Sequence, residues 1–315
     1  MTNTQKNEVV DLIRIERERL GSNARVARKA SVSEATISQM VNNNWELIAE
    51  SMWQKVGDSL GYKPSGWQIV ETQSMRVLWG TLEAAKRESM FIGLAGDAGL
   101  GKSTGLKAYA NANSNTVFYL ECREWAKREF LLNLARSIGA DVSDGNSNDT
   151  LIQSVVQFFR QRRAMRPLLI LDQANSLKAA ALRSLIMIFN GTEDDLGMVI
   201  AGTPHLEKMM HADARRDKPG GKELLSRFGR KLLSLTGSTQ ADVQAICQAN
   251  GISDATTARA IFAECEPISR MVGRQSVKVV EDLRRVKRCI KRELLKAAGA
   301  AAAPEQAETS TESAQ

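Results

Sequence analysis

The chain has 315 residues, of which 43% are hydrophobic, 25% charged and 5% aromatic, and its net charge is +7. This length suffices for one large core or two to three smaller ones, and the apolar fraction excludes a disordered chain. No run of 18 apolar residues and no signal peptide is present, which predicts a cytoplasmic protein without membrane contact. Four widely spaced cysteines and two histidines favour neither a zinc site nor a disulfide framework.

The charge is unevenly distributed along the chain. Residues 297–315 contain three acidic residues and no basic one, so the remaining residues carry +10 rather than +7. A basic body of this kind indicates a polyanionic partner, most often nucleic acid, although a basic protein that is merely soluble has the same composition.

The pattern of apolar residues predicts an α/β fold with additional helical parts. Five short apolar runs, separated by amphipathic stretches, are typical of a five-stranded parallel sheet with crossover helices. The last part of the chain before the tail reads as an all-helical lid. The predicted parts are a helical module (1–62), a linker with the first helix of the core (63–89), the α/β core (90–237), the helical lid (238–296) and a disordered tail (297–315).

The N-terminal module contains a helix-turn-helix pattern over residues 23–42. Ser33 is suited to cap the second helix, and Ser31 stands where glycine is usual in the turn. We predict DNA contacts from the first helix to phosphates and from the second helix to the major groove, made by Arg25, Arg28, Thr36, Ser38 and Gln39. A three-helix interaction module that does not bind DNA has the same pattern.

The most specific motif is a phosphate-binding loop that follows one predicted strand and opens a helix. Residues 96–103, with the sequence GDAGLGKS, fit the pattern G-x-x-x-x-G-K-[ST] at every fixed position. The glycines let backbone N–H groups point at phosphates, Lys102 is expected to reach the β- and γ-phosphates of ATP, and Ser103 to bind Mg²⁺. The predicted nucleotide-binding residues are Gly96, Asp97, Ala98, Gly99, Leu100, Gly101, Lys102, Ser103 and Thr104.

A second part of an ATP site lies where the run 168–171 ends in Asp172, which is expected to support Mg²⁺. The following residue is Gln173, where Glu is usual. An amide does not accept a proton, so it can position water without acting as a base. Three interpretations stay open, namely a nucleotide switch with slow turnover, assistance from another group, or a substitution introduced to trap the ATP state. Each predicts ATP binding with weakened hydrolysis.

Three further residues are candidates for contact with the γ-phosphate. Thr203 follows the fourth predicted strand, where a polar side chain can sense the phosphate, although an ordinary Thr at a strand end looks the same. Arg227 and Arg230 precede the fifth strand, and an arginine there can act on the phosphate of a neighbouring subunit. A solvated basic helix end is the alternative for this pair.

Basic clusters outside the N-terminal module are further candidates for DNA contact. One cluster, Arg123, Lys127 and Arg128, begins the helix after the second strand, and Arg160 belongs to another. Most charge runs are solvated faces, which remains the alternative for each cluster.

The order of these parts resembles the Mu-type transposition B proteins. These are AAA+ ATPases related to the target-selecting ATPases of Tn7-like and IS21-like elements. The resemblance spans about residues 5–295 and rests on the helix-turn-helix, the phosphate loop, the D-x-A motif at Asp172, the helical lid and the segment Ile69–Gln73 before the helix of Trp79.

This resemblance implies more than the residues alone do. Such proteins bind ATP and Mg²⁺, form homo-oligomeric helical filaments around double-stranded DNA with little sequence preference, and recruit and stimulate a DDE transposase. By likeness, Thr203 is the first sensor, Arg227 or Arg230 acts across the subunit interface, and Arg270 is the second sensor in the lid, with Arg274 as its competitor. The departure at Gln173 puts turnover in doubt.

Two other functions share parts of this pattern. A helicase- or initiator-loading AAA+ ATPase has the same ATP motifs and basic charge. A sequence-specific transcription regulator would use the helix-turn-helix to recognise an operator and the ATPase domain as a sensor. A discrete footprint would favour the regulator, whereas coating that depends on DNA length would favour the transposition protein.

Overall fold

The computed structural model describes residues 1, 3–62, 66–272 and 275–301, which fall into two compact units divided after Gln68. The first unit is helical, as predicted. Its four α-helices are α1 (Asn3–Leu20), α2 (Asn23–Ala30), α3 (Glu34–Val41) and α4 (Glu50–Ser59). They surround a core in which Ile13, Ile37, Met40 and Trp53 are inaccessible to solvent.

The turn between α2 and α3 has the geometry that the sequence predicts. Ser31 caps the C-terminus of α2 in the left-handed region, with φ of +52°, which explains why glycine is usual there. The Ser33 hydroxyl accepts a hydrogen bond from the amide of Thr36 at 3.1 Å and caps α3. The two helices and their turn are therefore confirmed, whereas DNA binding by them remains a prediction.

The second unit contains the predicted parallel sheet of five strands in the order β2-β3-β4-β1-β5. The strands are β1 (Phe91–Ala95), β2 (Val117–Glu121), β3 (Leu168–Asp172), β4 (Gly197–Gly202) and β5 (Leu233–Ser234). Alternate residues of β3 enter different layers of the core, Leu169 and Leu171 on one face and Leu168 and Ile170 on the other. Burial on both faces explains why β3 is apolar at every position before Asp172.

Helices cover both faces of this sheet and connect its strands. They are α5 (Gln73–Arg87), α6 (Lys102–Ala112), α7 (Lys127–Ile138), α8 (Asn148–Gln161), α9 (Ala179–Thr192), α10 (Pro204–Arg215) and α11 (Gly221–Arg227). The carboxyl ends of β1, β3 and β4 meet at one edge, where the phosphate loop, Asp172 and Thr203 follow them. This arrangement assembles the predicted site from distant segments.

The prediction of an all-helical lid was wrong. Helices α12 (Gln240–Ala249), α13 (Ala255–Glu264) and α14 (Leu283–Ala301) are present, but an antiparallel sheet accompanies them. Its strands are β6 (Ser238–Thr239), β7 (Ile268–Val272) and β8 (Gln275–Val280), in the order β6-β8-β7. Val279 and Val280 of β8 are buried, and such β-branched residues favour strands.

The segment around Thr72 joins α5 to the lid. The Thr72 hydroxyl accepts from the amide of Met75 at 3.2 Å and caps α5. The Gln73 amide donates to Asp242 of α12 at 2.9 Å, and the Ser74 hydroxyl donates to the Gly237 carbonyl at 2.6 Å. The segment that supports the family resemblance thus fixes the junction between core and lid.

Helix α14 continues through residues 297–301, which were predicted to belong to the tail, because alanine favours the helix. Residues 302–315 lie outside the described part. Every helix within the described ranges is too short or too polar to span a bilayer. All four cysteines are buried and free, and no metal-binding cluster of His, Cys, Asp or Glu occurs in the part of the chain that the structure describes.

Candidate nucleotide-binding site

The phosphate loop connects β1 to α6 and depends on glycine at two positions. Gly99 and Gly101 have φ of +97° and +84°, in the left-handed region that other residues rarely adopt. Gly101 is the N-cap of α6, so the first amides of this helix, from Lys102 onward, have no acceptor within the helix. Such amides, at the positive end of the helix dipole, form a site for phosphate.

Lys102 is held inside the loop. Its ammonium donates to the carbonyls of Gly96 and Asp97, both at 2.7 Å, and the side chain is only 9% exposed. Burial lowers the pKa of Lys102, while the negative charges of Asp172 and Asp97 oppose this shift. A buried cation beside the free amides is suited to compensate the charge of a bound triphosphate.

Asp172 ends β3 and is almost fully buried. Its Oδ2 accepts from the Tyr119 hydroxyl at 2.8 Å, and its Oδ1 accepts from the Gln173 amide at 2.8 Å. Burial and the Asp172 carboxylate raise the pKa of Tyr119, so the phenol stays protonated and donates. Tyr119 therefore fixes the carboxylate that was predicted to support Mg²⁺.

Gln173 lies at the same edge in a left-handed conformation, with φ of +55°. Its amide Nε2 donates to Oε1 of Glu121 at 2.8 Å. Glu121 is the last residue of β2 and lies directly opposite Asp172 in the parallel register. Its Oε2 accepts from Lys107 of α6 at 2.7 Å, which lowers the pKa of Glu121. A carboxylate therefore adjoins Gln173, although it is not on β3.

Thr203 follows β4 at this edge, as predicted, and precedes α10. Its amide donates to Oδ1 of Asn175 at 3.1 Å, so Asn175, which follows β3 by three residues, connects the two strand ends. The side chain of Thr203 is half-buried. This placement is compatible with a sensor of the γ-phosphate, and that role remains a prediction.

The lid contacts the phosphate loop through the first turn of α14. The Leu283 amide donates to the Gly99 carbonyl at 3.0 Å. A Cβ atom at Gly99 would lie 3.0 Å from Cα of Asp282, so no larger residue fits there without displacing the lid. Arg284 directly follows Leu283, so the hydrogen bond from Leu283 to Gly99 brings its backbone to the loop, and its positive charge contributes to lowering the pKa of Lys102.

The prediction that Arg270 lies in a lid helix was therefore wrong. Arg270 is on β7, and its Nε donates to Oε1 of Glu281 at 2.9 Å. The alternation of β7 directs it to an exposed ion pair, whereas Arg284 at the start of α14 is the lid arginine near Lys102. Arg274 lies outside the described residues.

The two arginines proposed to act on a neighbouring subunit differ in their surroundings. Arg227 is engaged within its own chain, because its Nη2 donates to Asn190 at 2.6 Å and to Glu223 at 2.7 Å. Its guanidinium also lies 4.8 Å from the ring centroid of Phe189. Arg230 is exposed, with φ of +62°; its backbone amide donates to the Leu225 carbonyl at 2.9 Å, but its side chain makes no hydrogen bond or ion pair with other described residues. The structure thus favours Arg230 for contact with another subunit.

The predicted DNA-binding residues of the second unit do not form one surface. Arg123 and Lys127 lie just after β2, at the carboxyl edge of the sheet. Arg128 donates to backbone carbonyls of Asp144 and Asn146, so it holds a loop. Arg160 is in the last turn of α8, at the opposite edge, 3.9 Å from a carboxylate oxygen of Asp195.

In the first unit, Arg25 and Arg28 are exposed on α2. Arg25 donates to the Leu20 carbonyl at 2.9 Å. On α3, Thr36, Ser38 and Gln39 are only partly exposed, and the Thr36 hydroxyl pairs with Ser33 at 2.8 Å. These residues lie on the consecutive helices α2 and α3, and DNA binding by them remains a prediction.

The donor set fits ATP with Mg²⁺. The hydroxyl of Ser103 and the carboxylate of Asp172 are oxygen ligands of the kind that Mg²⁺ prefers. These two residues would hold the ion, which would neutralise charge on the phosphates. The loop amides and Lys102 would bind the triphosphate, and Gln173 would orient a water molecule.

Sequence reasoning missed Tyr119, Glu121, Lys107, Asn175 and Arg284. Glu121 was detectable in principle, because the carboxyl ends of parallel strands meet at one edge of a sheet. Arg284 was hidden within a basic helix whose charges read as a solvated face.

Comparisons with known proteins agree with this geometry. A family model described as an AAA domain matches residues 85–210. The ATP-dependent target DNA activator B of Escherichia phage Mu is 23% identical over 231 residues, covering 71% of each chain. The Mu-like prophage FluMu DNA transposition protein B of Haemophilus influenzae is 24% identical over 237 residues, covering 73% of this chain and 80% of the relative.

Solved structures also resemble the chain. Cdc6p from Pyrobaculum aerophilum aligns with a TM-score of 0.49 and 17% identity, over 76% of this chain and 65% of the other. The Thermotoga maritima RuvB Holliday junction branch migration motor aligns with a TM-score of 0.42 and 17% identity, over 72% and 63%.

The phosphate loop and Asp172 lie within the matched domain, and the similarity to the phage proteins extends over more than two thirds of both chains. The chain thus contains an AAA domain and is similar to the Mu-type target DNA activators B.

Proposed function

We propose that this protein is an ATP-dependent, largely sequence-nonspecific duplex-DNA-binding protein. It assembles into helical filaments, selects target DNA, and recruits and activates a DDE transposase. One observation carries the proposal, namely a phosphate loop with buried Lys102 near Asp172 in a chain similar over 231 residues to an ATP-dependent target DNA activator.

The physical basis is the coupling of nucleotide to assembly. ATP bound between subunits requires groups from both, with Arg230 supplied by the neighbour, so the nucleotide favours the oligomer. An oligomer adds many weak phosphate contacts, and DNA affinity therefore becomes dependent on ATP and sensitive to salt.

The exposed Arg123 and the partly exposed Lys127 are our first choice for phosphate contact. Both residues follow β2 at the edge of the nucleotide site, whereas Arg128 is bound to a loop and Arg160 lies at the other edge. The N-terminal Arg28 is a second source of contact. Charge reversal at Arg123, Arg160 and Arg28, one at a time, ranks the three surfaces.

Hydrolysis is expected to be slow, because Gln173 replaces the carboxylate that usually polarises water. General base catalysis typically contributes about 10²- to 10⁴-fold, so its loss leaves binding intact and turnover weak. ATP then acts mainly as a switch for assembly on DNA.

The test measures binding to unrelated duplexes of increasing length, with ATP and without nucleotide, followed by negative-stain microscopy. In the presence of ATP we expect the affinity for DNA to rise with duplex length, and filaments to be visible. The slope of log affinity against log salt concentration should fall in magnitude by about one for each phosphate contact removed by mutation. Lys102→Ala should abolish the effect of ATP, while Lys86→Ala on α5 serves as a control.

Other outcomes would reject the proposal. Binding to a single sequence would favour a transcription regulator, and length-independent binding in all nucleotide states would favour a loader of a replication protein. Unchanged ATP-dependent assembly by Lys102→Ala would refute the assignment of the phosphate loop.

A further inference from the structure

Gln173 is the residue at which this site departs from the usual ATPase pattern, and the structure gives its side chain a specific partner. The Nε2 of Gln173 donates to Glu121 at 2.8 Å, across neighbouring strand ends held in register. The backbone of Gln173 is itself fixed, since its amide donates to Asp172 and its φ is +55°. Gln173 is therefore held twice, through its side chain by Glu121 and through its backbone by Asp172.

The chemistry of the partner determines which end of the amide is left free. A side-chain amide has an NH₂ donor at one end and an oxygen acceptor at the other, and it can rotate to exchange them. An ionised carboxylate only accepts hydrogen bonds, so Glu121 pairs with the NH₂ end alone. The Oε1 of Gln173 is then the end that remains available as an acceptor.

Lys107 maintains this arrangement from the helix that follows the phosphate loop. It donates to the other oxygen of Glu121 at 2.7 Å, so one carboxylate oxygen is paired with a cation and the other with the NH₂ group of Gln173. It also lies 5.6 Å from the ring centroid of Tyr119, whose hydroxyl holds Asp172. Alternate residues of β2 thus secure both polar residues at the end of β3.

We propose that Glu121 is a positioning residue for ATP hydrolysis, which orients Gln173 so that its Oε1 accepts a hydrogen bond from the attacking water. The water oxygen forms a bond to the γ-phosphorus as the bond to the β,γ-bridging oxygen breaks. The water proton passes to the phosphate produced, because the amide does not take it. This inference rests on the proposed ATPase function and identifies the assisting group that Gln173 requires.

The test is a double-mutant cycle on steady-state phosphate release, with binding of a fluorescent N-methylanthraniloyl ATP measured in parallel. We expect Glu121→Ala to lower kcat about tenfold, the effect of one orienting hydrogen bond, with KM and nucleotide affinity within about twofold. In the Gln173→Ala background, Glu121→Ala should have no further effect, because it acts only through Gln173.

Two additional variants separate orientation from structure. Glu121→Gln retains size and hydrogen bonding but accepts either end of the Gln173 amide, so we expect a smaller loss of kcat than in Glu121→Ala. Glu124→Gln is a matched control, since Glu124 is exposed three residues later and makes no ion pair with other described residues. It should hydrolyse ATP at the wild-type rate.

The outcomes distinguish this inference from the function on which it rests. If Glu121→Ala lowered kcat equally in the wild-type and the Gln173→Ala backgrounds, or changed KM alone, the positioning role would be overturned while the ATPase function stayed in place. Hydrolysis no faster than that of Lys102→Ala would overturn it as well, although ATP-dependent DNA binding could still be observed. Failure of the wild-type protein to bind the nucleotide would reject the proposed function itself.

Discussion

Asp242 provides a direct test of how the segment before α5 is joined to the lid. Its side chain is 7% exposed and accepts three hydrogen bonds. Two come from the amide and hydroxyl of Thr239, at 2.8 and 2.9 Å, and cap α12, while the third comes from the Gln73 amide at 2.9 Å. Thr239 is the N-cap of α12 and Asp242 is its partner in a capping box, so Asp242→Ala removes one half of the capping box together with a long-range connection.

The expected loss follows from these contacts. Thr239 remains the N-cap of α12, but its amide loses its acceptor at the N3 position of the capping box, which costs about 1 kcal/mol. The part-buried Gln73 amide, left without its acceptor, adds about 1 kcal/mol. We therefore expect Asp242→Ala to lower the free energy of unfolding of the second unit by about 2 kcal/mol, or its Tm by roughly 4–8 °C for a unit of this size.

The matched control is Asp254→Ala. Asp254 also accepts three hydrogen bonds, from Thr256 and from the amide and hydroxyl of Thr257, but it is exposed and all its partners are local. Its loss should cost about 1 kcal/mol. Urea and thermal unfolding followed by circular dichroism measure both variants. Equal destabilisation by the two substitutions would refute the argument that the contact with α5 stabilises the lid.

Three other predictions follow from the site and the lid. Arg227→Ala should lower Tm, because the contacts of the guanidinium with Asn190, Glu223 and Phe189 are lost. Arg230→Ala should leave the free energy of unfolding within about 0.5 kcal/mol but reduce the part of ATP hydrolysis that depends on protein concentration. The reverse pattern in melting and phosphate-release assays would contradict this assignment. The double variant Glu121→Gln with Gln173→Glu keeps the hydrogen bond between the two strand ends and introduces a base at position 173. Its kcat should therefore exceed that of the wild type by at least about tenfold. A double variant slower than both single variants would count against this geometry. Arg292 lowers the pKa of Glu264 to about 2, so their ion pair stabilises the protein fully above pH 4.5, and this contribution is lost as pH falls toward 2. Arg292→Gln should therefore lower the free energy of unfolding at pH 7 but not near pH 2, whereas the control Lys291→Gln, at an exposed residue, should show no such pH dependence. Urea unfolding measures both variants, and a loss in Arg292→Gln that does not change with pH would exclude this cause.

The sequence was sufficient for the core because burial there leaves a strong pattern. Strands such as β3, covered on both faces, must be apolar at every position, and the phosphate loop requires glycine at fixed places. The cap at Ser33 was predictable for a similar reason, since the requirement is local.

The lid was misjudged because its strands carry a weaker pattern. In β8 the exposed Lys278 precedes two consecutive buried valines, so strict alternation is broken, and β7 is largely exposed. The roles of Arg284 and Glu121 depend on partners that are distant in sequence. No local pattern separates Arg284 from its basic neighbours on α14, because only packing of the first turn against Gly99 brings it near Lys102.

These contacts make the lid part of the nucleotide site. Leu283 donates to the carbonyl of Gly99, and the absence of a side chain at Gly99 allows Asp282 to approach the loop. The other end of the lid is fixed to α5 through Asp242, and Trp79 of α5 donates to the Gly105 carbonyl of α6 at 3.0 Å. The helix that begins at the phosphate loop is thus connected to the lid by two routes. A rearrangement of the phosphate loop that moves the Gly99 carbonyl would have to displace the first turn of α14 or break the hydrogen bond from Leu283.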